Sequence, residues 1–294
     1  ILYTQVVPQG GLISGSSSVV KIKAWNWEDA VVAEDDGIHL WWPNRFSRSG
    51  WWAEPGKLSE NENYQVKIDA IEQFLLEAKA YFQQKTTPKN IKFEATKGLF
   101  EGTQNLYVHV GKAKEMIAAI ALIERLGIQK MVIVGGEEAP DISELLIKKD
   151  IPVIIGNIIS LPMRTHSNID ESYTLPARLE AAGVKYCIGM TKYYVFEFRN
   201  VIVTAGIAAN YGLTKEQALA AITKNTAEIL GIDDLGTLEE GKRASFVVSN
   251  GDILDIKNSS IEKAFIDGKQ IDLSNKQYEL YKKYMSKYKE EGKM

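Results

Sequence analysis

Short apolar runs of strand length alternate with segments of helical periodicity along most of the chain, and that alternation leaves few folds open. Residues 3–7, Val19–Lys23, Gly37–Trp42, Leu106–Val110, Met131–Val134, Ile151–Ile155 and Val184–Gly189 read as strands. Helices are expected between them over Ser59–Gln84, Lys112–Leu126, Asp141–Lys148 and Ala177–Ala182, then near 200–211 and 214–230. In the first of these, Ile68, Ile71, Leu75, Ala78 and Phe82 recur at helical spacing. Gly127 and Gly183 stand where a left-handed C-cap belongs. Thr214 and Gln217 have the N-cap and N3 spacing of a capping box. Strand–helix–strand units of ~25–30 residues call for right-handed crossovers and a parallel sheet. The number of units favours an α/β barrel of the (β/α)8 type over an open doubly wound sheet.

Composition narrows the function classes. The 294 residues carry 35 Lys and Arg against 38 Asp and Glu, a net charge of −3, which is no electrostatic footprint for nucleic acid. The single cysteine, Cys187, excludes an internal disulfide and any cysteine-based zinc cluster. No stretch approaches the ~20 apolar residues of a membrane span. After Gly231 the pattern changes to turns and short strands (Ser245–Val248, Ala264–Ile266, Ile271–Leu273), followed by a tail rich in Lys and Tyr. The expected organisation is a barrel over 1–232, a β-sandwich portion over 233–273 and a helical tail over 274–294. The chain opens on a strand-like run with no initiator Met, as a fragment, a processed form or a second subunit would.

The run Asn225-Thr226-Ala227-Glu228-Ile229-Leu230-Gly231, followed by Gly236-Thr237-Leu238-Glu239-Glu240-Gly241-Lys242-Arg243-Ala244-Ser245-Phe246-Val247-Val248, resembles the closing segment of the amidohydrolase superfamily. Ser245 stands where that family has Asp. Ala264-Phe265-Ile266-Asp267-Gly268-Lys269 is similar to a second family passage. At the front, Val6-Val7-Pro8-Gln9-Gly10-Gly11-Leu12-Ile13-Ser14-Gly15 is similar to the segment after barrel strand 2 in the imidazolonepropionase-like and Xaa-Pro-dipeptidase-like branch. The resemblance implies a TIM-like (β/α)8 barrel, incomplete at its N-terminus, with a small C-terminal β-sandwich portion. It also implies that the chain begins at strand 2, without the strand that carries the family's His-x-His pair.

The activity implied is metal-dependent hydrolysis of a C–N bond in an amide, peptide-like or cyclic amide substrate, with a divalent metal, zinc first, as cofactor if the site is active. In barrels of this kind the chemistry sits at the C-terminal ends of the strands. His109 matches the family's strand 5 ligand and is the expected metal ligand. The strand 6 histidine would fall at Gly135-Gly136, ahead of Glu137 and Glu138. The strand 8 aspartate would fall at Met190-Thr191-Lys192. A catalytic zinc takes three protein ligands, so the chain alone is expected to fall short, with a partner chain supplying the missing part. The alternative is a catalytically degenerate barrel that binds a ligand or supports an active partner.

All six tryptophans lie between Trp25 and Trp52. Trp41 and Trp42, with Arg164 and Arg199, are the expected substrate-binding residues, the indoles as an aromatic wall and the guanidiniums as carboxylate clamps. A packed lid or a subunit interface is the other use for such a cluster. Arg45 and Arg48 have the same clamping chemistry. Of the other two histidines, His39 falls on the Gly37–Trp42 strand and His166 in a polar loop. An oligomer and a bacterial extracytoplasmic setting complete the expectations.

Overall fold

The computed structural model describes residues 2–51, 53–84, 88–156, 158–162, 167–190 and 199–290. Strands β1 (Tyr3–Val6) and β2 (Ile13–Lys21) pair antiparallel, and the short helix α1 (Trp27–Ala30) leads into the long strand β3 (Val31–Trp41). A ribbon of β4 (Phe46–Trp51) and β5 (Glu54–Glu60) precedes helix α2 (Tyr64–Gln83). Helices α3 (Ile91–Glu94) and α4 (Lys97–Glu101) then lead to β6 (Asn105–Val110). The alternation continues through α5 (Ala113–Leu126), β7 (Met131–Gly135), α6 (Ser143–Lys148), β8 (Val153–Ile155), α7 (Leu175–Ala182) and β9 (Tyr186–Ile188). Helices α8 (Val201–Asn210), α9 (Lys215–Ile222) and α10 (Lys224–Leu230) follow. The chain ends in β10 (Phe246–Asn250), β11 (Ser260–Ile266), β12 (Lys269–Gln270) and α11 (Lys276–Glu290).

Seven strands form the main sheet in the order β1-β2-β3-β6-β7-β8-β9. From β3 to β9 every pairing is parallel and every neighbour is the next of these strands in the chain. The order never reverses, so the winding has no switch point and is that of a barrel. The architecture is an incomplete TIM-like barrel, and the smaller sheet β10-β11-β12 lies beyond it. Strand alternation divides the sheet's side chains between two faces. Ile38, Leu40, Leu106, Val108, Ile133 and Val153 face outward, against Ile71 and Leu75 of α2 and Met116 and Ile123 of α5. Tyr107, Val132, Val134 and Cys187 face inward, and Ile229 of α10 packs on them. Asn105 Nδ2 also donates to the Ile229 carbonyl, so α10 covers the N-terminal end of this inner face.

Several expected boundaries move. The helix expected from Ser59 begins at Tyr64, because Ser59 and Glu60 pair with Ser47 and Phe46 in the ribbon instead. A turn at Asn61 sets the start: its Oδ1 accepts from Asn63 N and its carbonyl from Tyr64 N. The strand expected over Val19–Lys23 is the end of a longer one that starts at Ile13 and stops at Lys21. The last strand stops at Gln270, so Ile271–Leu273 lie outside it. The helix expected over 214–230 divides at Thr223, whose φ of −129° and ψ of −87° leave the helical region. Its start is as expected: Gln217 N donates to Thr214 Oγ1, and Thr214 N donates to Gln217 Oε1. Gln217 Nε2 also donates to Glu180 of α7. Thr214→Ala is therefore expected to lower the unfolding free energy by about 1 kcal/mol in urea titration, with an unchanged m-value.

Candidate functional site

Polar side chains on the inner face gather on two adjacent strands. The register aligns Gly37 with Asn105, His39 with Tyr107 and Trp41 with His109. Because all six positions have the same parity, all six point inward, while Ile38, Leu40, Leu106 and Val108 point into the outer core. His39 and His109 thus come together near the C-terminal ends of two parallel strands, 70 residues apart in sequence. His39 Nδ1 and His109 Nε2 are 2.8 Å apart, a hydrogen bond in which one ring carries the proton and the other the lone pair.

Aromatic rings hold the pair from both sides. Tyr107 stacks on His39 with centroids 4.7 Å apart, and Trp41 stacks on His109 at 3.8 Å. His39 is buried and His109 is half-buried. Burial, reinforced by the neighbouring His109, pushes the His39 pKa down to about 3. Burial pushes that of His109 down to about 4. Both rings are therefore neutral at pH 7. Neutral imidazole is the form that binds metals and accepts hydrogen bonds. Its weak basicity here makes it a poor general base near neutrality.

A hydrogen-bonded base fixes this arrangement. Asp35 has a positive φ of 47° beside an irregular stretch of the β2–β3 pairing, and Asp36 turns inward behind it. Tyr107 OH donates to Asp36 Oδ2 at 2.7 Å, and Gln5 Nε2 donates to the same oxygen at 2.6 Å. Ser17 accepts from Gln5 Nε2 and donates to the Gly37 carbonyl. Burial raises the pKa of Asp36, although its hydrogen bonds lower it. His39 Nε2 and Asp36 Oδ1 are buried and have no hydrogen-bond partner among the described residues.

The orphaned Nε2 and the neutral rings suit a metal in kind, but the donor set does not complete one. The rung of Trp41 and His109 continues through Val134, Ile154 and Cys187. Two of those side chains are hydrocarbon, and burial pushes the third, the Cys187 thiol, up to about 12. Among the described residues no group of three His, Cys, Asp or Glu side chains could hold a metal ion. The described residues thus fall short of the three protein ligands a catalytic zinc takes. Glu138, next to the expected strand 6 position, accepts from Ala113 N at 2.9 Å and from Lys112 Nζ at 3.1 Å, so it serves the start of α5. Glu137 is exposed.

Of the residues expected to bind substrate, Trp41 and Trp42 are parted by the strand. Trp41 lies against His109, but Trp42 points to the opposite face, is 5% exposed, and donates from Nε1 to Tyr64 OH at 3.2 Å. Trp25, Trp27 and Trp51 are exposed, so the described tryptophans form no common wall. Arg199 is exposed at the turn into α8. Arg164, His166 and Trp52 lie outside the described residues, as do Thr191 and Lys192. Tyr107, Asp36, Gln5 and Gly37 belong to the site without having been singled out by sequence. The signal available for Gly37 and Tyr107 was the stripe of period two over residues 37–41 and 105–109, which reaches neither Asp36 nor Gln5.

The family model for the amidohydrolase family matches residues 56–271. Among curated proteins, amidohydrolase tasK from Hapsidospora irregularis is 32% identical over 121 residues, which is 36% of this chain and 11% of that protein. A crystal structure of an amidohydrolase from Thermotoga maritima MSB8 superposes with a TM-score of 0.77 at 24% identity, over 92% of this chain and 72% of that one. A Xaa-Pro dipeptidase with methionine bound in its active site gives a TM-score of 0.44 at 21% identity, over 61% of this chain and 47% of that one.

Proposed function

The chain belongs to the amidohydrolase family, and on that footing we propose that it takes part in hydrolysis of a C–N bond, in an amide, peptide-like or cyclic amide substrate, as one part of a larger catalytic unit. The observation that carries this reading is the neutral pair His39–His109 at the C-terminal ends of β3 and β6, where barrel chemistry is done. The pair supplies imidazoles in their ligand form, and among the described residues no third His, Cys, Asp or Glu joins it to make a group that could hold a metal ion. We assign the third donor, and with it the metal dependence, to residues outside those described or to a partner chain. Trp41 offers the apolar wall next to the pair. A second reading, a barrel that only supports an active partner, is favoured by the hydrogen bond that commits one nitrogen of each ring to the other.

The test is elemental analysis of the purified chain after incubation with zinc and desalting, together with an amide hydrolysis screen. The isolated chain is expected to retain well under one zinc and to show no zinc-dependent turnover. One zinc per chain, lost in His109→Ala and accompanied by hydrolysis, would overturn the need for a further donor. With any co-purifying chain retained, His109→Ala is expected to lower both zinc content and turnover. If it changes neither, the supporting-barrel reading replaces the first.

A further inference from the structure

Helix α11 takes no part in the sheet or the histidine pair. It begins on Asn275, whose Oδ1 accepts from Tyr278 N at 2.9 Å and whose carbonyl accepts from Glu279 N at 3.0 Å. Beyond that cap every position from Lys276 to Lys289 except Met285 is exposed. Tyr278, Leu280, Tyr281, Tyr284 and Tyr288 are exposed, by 40% in Leu280 to 57% in Tyr281. A free helix of 15 residues is marginal in water, so its side chains imply a surface that receives them.

Their arrangement identifies that surface. At 3.6 residues per turn, Leu280, Tyr284, Tyr288, Tyr281, Met285 and Tyr278 share one arc of roughly 160° with Gln277 of the first turn as its one polar amide. Lys282 and Lys289 border one edge of the arc. Lys276, Lys283 and Lys287 border the other, and Ser286 and Glu279 stand opposite. Lys282 Nζ lies 4.3 Å from the centroid of the Tyr278 ring, so this edge lysine folds along the aromatic face. Charge is concentrated here as well. Five lysines against Glu279 and Glu290 make α11 +3, and with a whole-chain charge of −3 the remainder carries −6.

We propose that α11 lies in the plane of an anionic lipid surface and docks the protein there. Tyrosine places an apolar ring and a polar hydroxyl at the depth where hydrocarbon gives way to headgroups. Lysines on both edges reach up to lipid phosphates while their stems stay along the apolar face, and the acidic pole faces water. A helix seated in a protein groove is read through a few anchors on one narrow stripe. Here the broad tyrosine arc is flanked by cations on both sides. No described helix is long and apolar enough to cross a membrane, so the association is with the surface.

The experiment is co-sedimentation of the full chain with vesicles of phosphatidylcholine alone and of phosphatidylcholine with a third phosphatidylglycerol. The expected result is about fivefold or greater enrichment on the anionic vesicles at low salt, falling to the neutral-lipid level in high salt. Lys282→Glu with Lys289→Glu should abolish the enrichment, and Tyr281→Ser with Tyr288→Ser should reduce it. Unchanged thermal melting shows that each variant is folded, since these side chains are exposed. Equal partitioning to both vesicle types, or enrichment that survives the lysine reversals, would overturn the proposal. So would a dimer in size-exclusion chromatography that is lost in the tyrosine variant while vesicles bind nothing, which would assign the face to a second copy.

Discussion

Gly37→Val is expected to destabilise the protein by about 3 kcal/mol, at the upper end of the range for overpacking a core position. The backbone at Gly37 is not in the left-handed region, so the cause is space alone. A Cβ there would lie 2.8 Å from Cδ2 of Tyr107, closer still to its Cε2, and against the Asn105 carbonyl. None of these can yield cheaply. The Asn105 carbonyl belongs to the paired strand, and the Tyr107 ring is held between its bond to Asp36 and its stack on His39. Displacing the ring would also release the support of His39, so the substitution should alter the histidine pair along with the stability. Urea titration of wild type and variant measures the difference. A loss below 1 kcal/mol would show that Tyr107 is not fixed as described.

Acidification should destabilise the protein through its histidines. His39 and His109 have folded pKa values of about 3 and about 4, below the ordinary value of 6.5. Between those limits the unfolded chain binds protons that the folded chain does not. The stability associated with the neutral rings is therefore fully present above pH 6.5 and is lost as pH falls toward 4. Each ring contributes a slope of up to about 1.4 kcal/mol per pH unit. Asp36 and Glu115 act in the opposite sense, because burial raises their pKa and acid relieves them. The histidine effect is isolated by comparing wild type with His39→Leu. The stability of wild type should fall more steeply from pH 7 to pH 4.5, by on the order of 2 kcal/mol over that span. Parallel curves for the two proteins would contradict the burial of His39 as a neutral ring.

What the sequence made legible, and what it hid, follows from the range of the forces involved. The parallel strands declare themselves because residues such as Met131–Val134 are apolar on both faces, and the glycine caps at 127 and 183 because a left-handed residue favours glycine. The capping box at Thr214 and the C-terminal passage with its turn glycines are equally local. The β4–β5 ribbon has no buried face, so its residues carry no alternation to read. Its presence is also why the start of α2 is misjudged. The histidine pair depends on the register that sets Trp41 opposite His109, which no local pattern states. Trp41 and Trp42 could have been separated in advance, since adjacent residues of a strand face opposite sides. Reading them as one wall follows their closeness in sequence rather than their parity.

Nitrogen NMR of histidine-labelled protein across pH tests the central claim most directly, because the chain has only three histidines. The account predicts that two imidazoles keep neutral ring shifts from pH 7.5 down to pH 5. One ring N–H should also be protected from solvent exchange by the bond between His39 and His109. Substituting either histidine should remove that N–H signal. Three rings titrating together near 6.5, with no protected ring proton, would contradict the neutral pair and with it the site built on it.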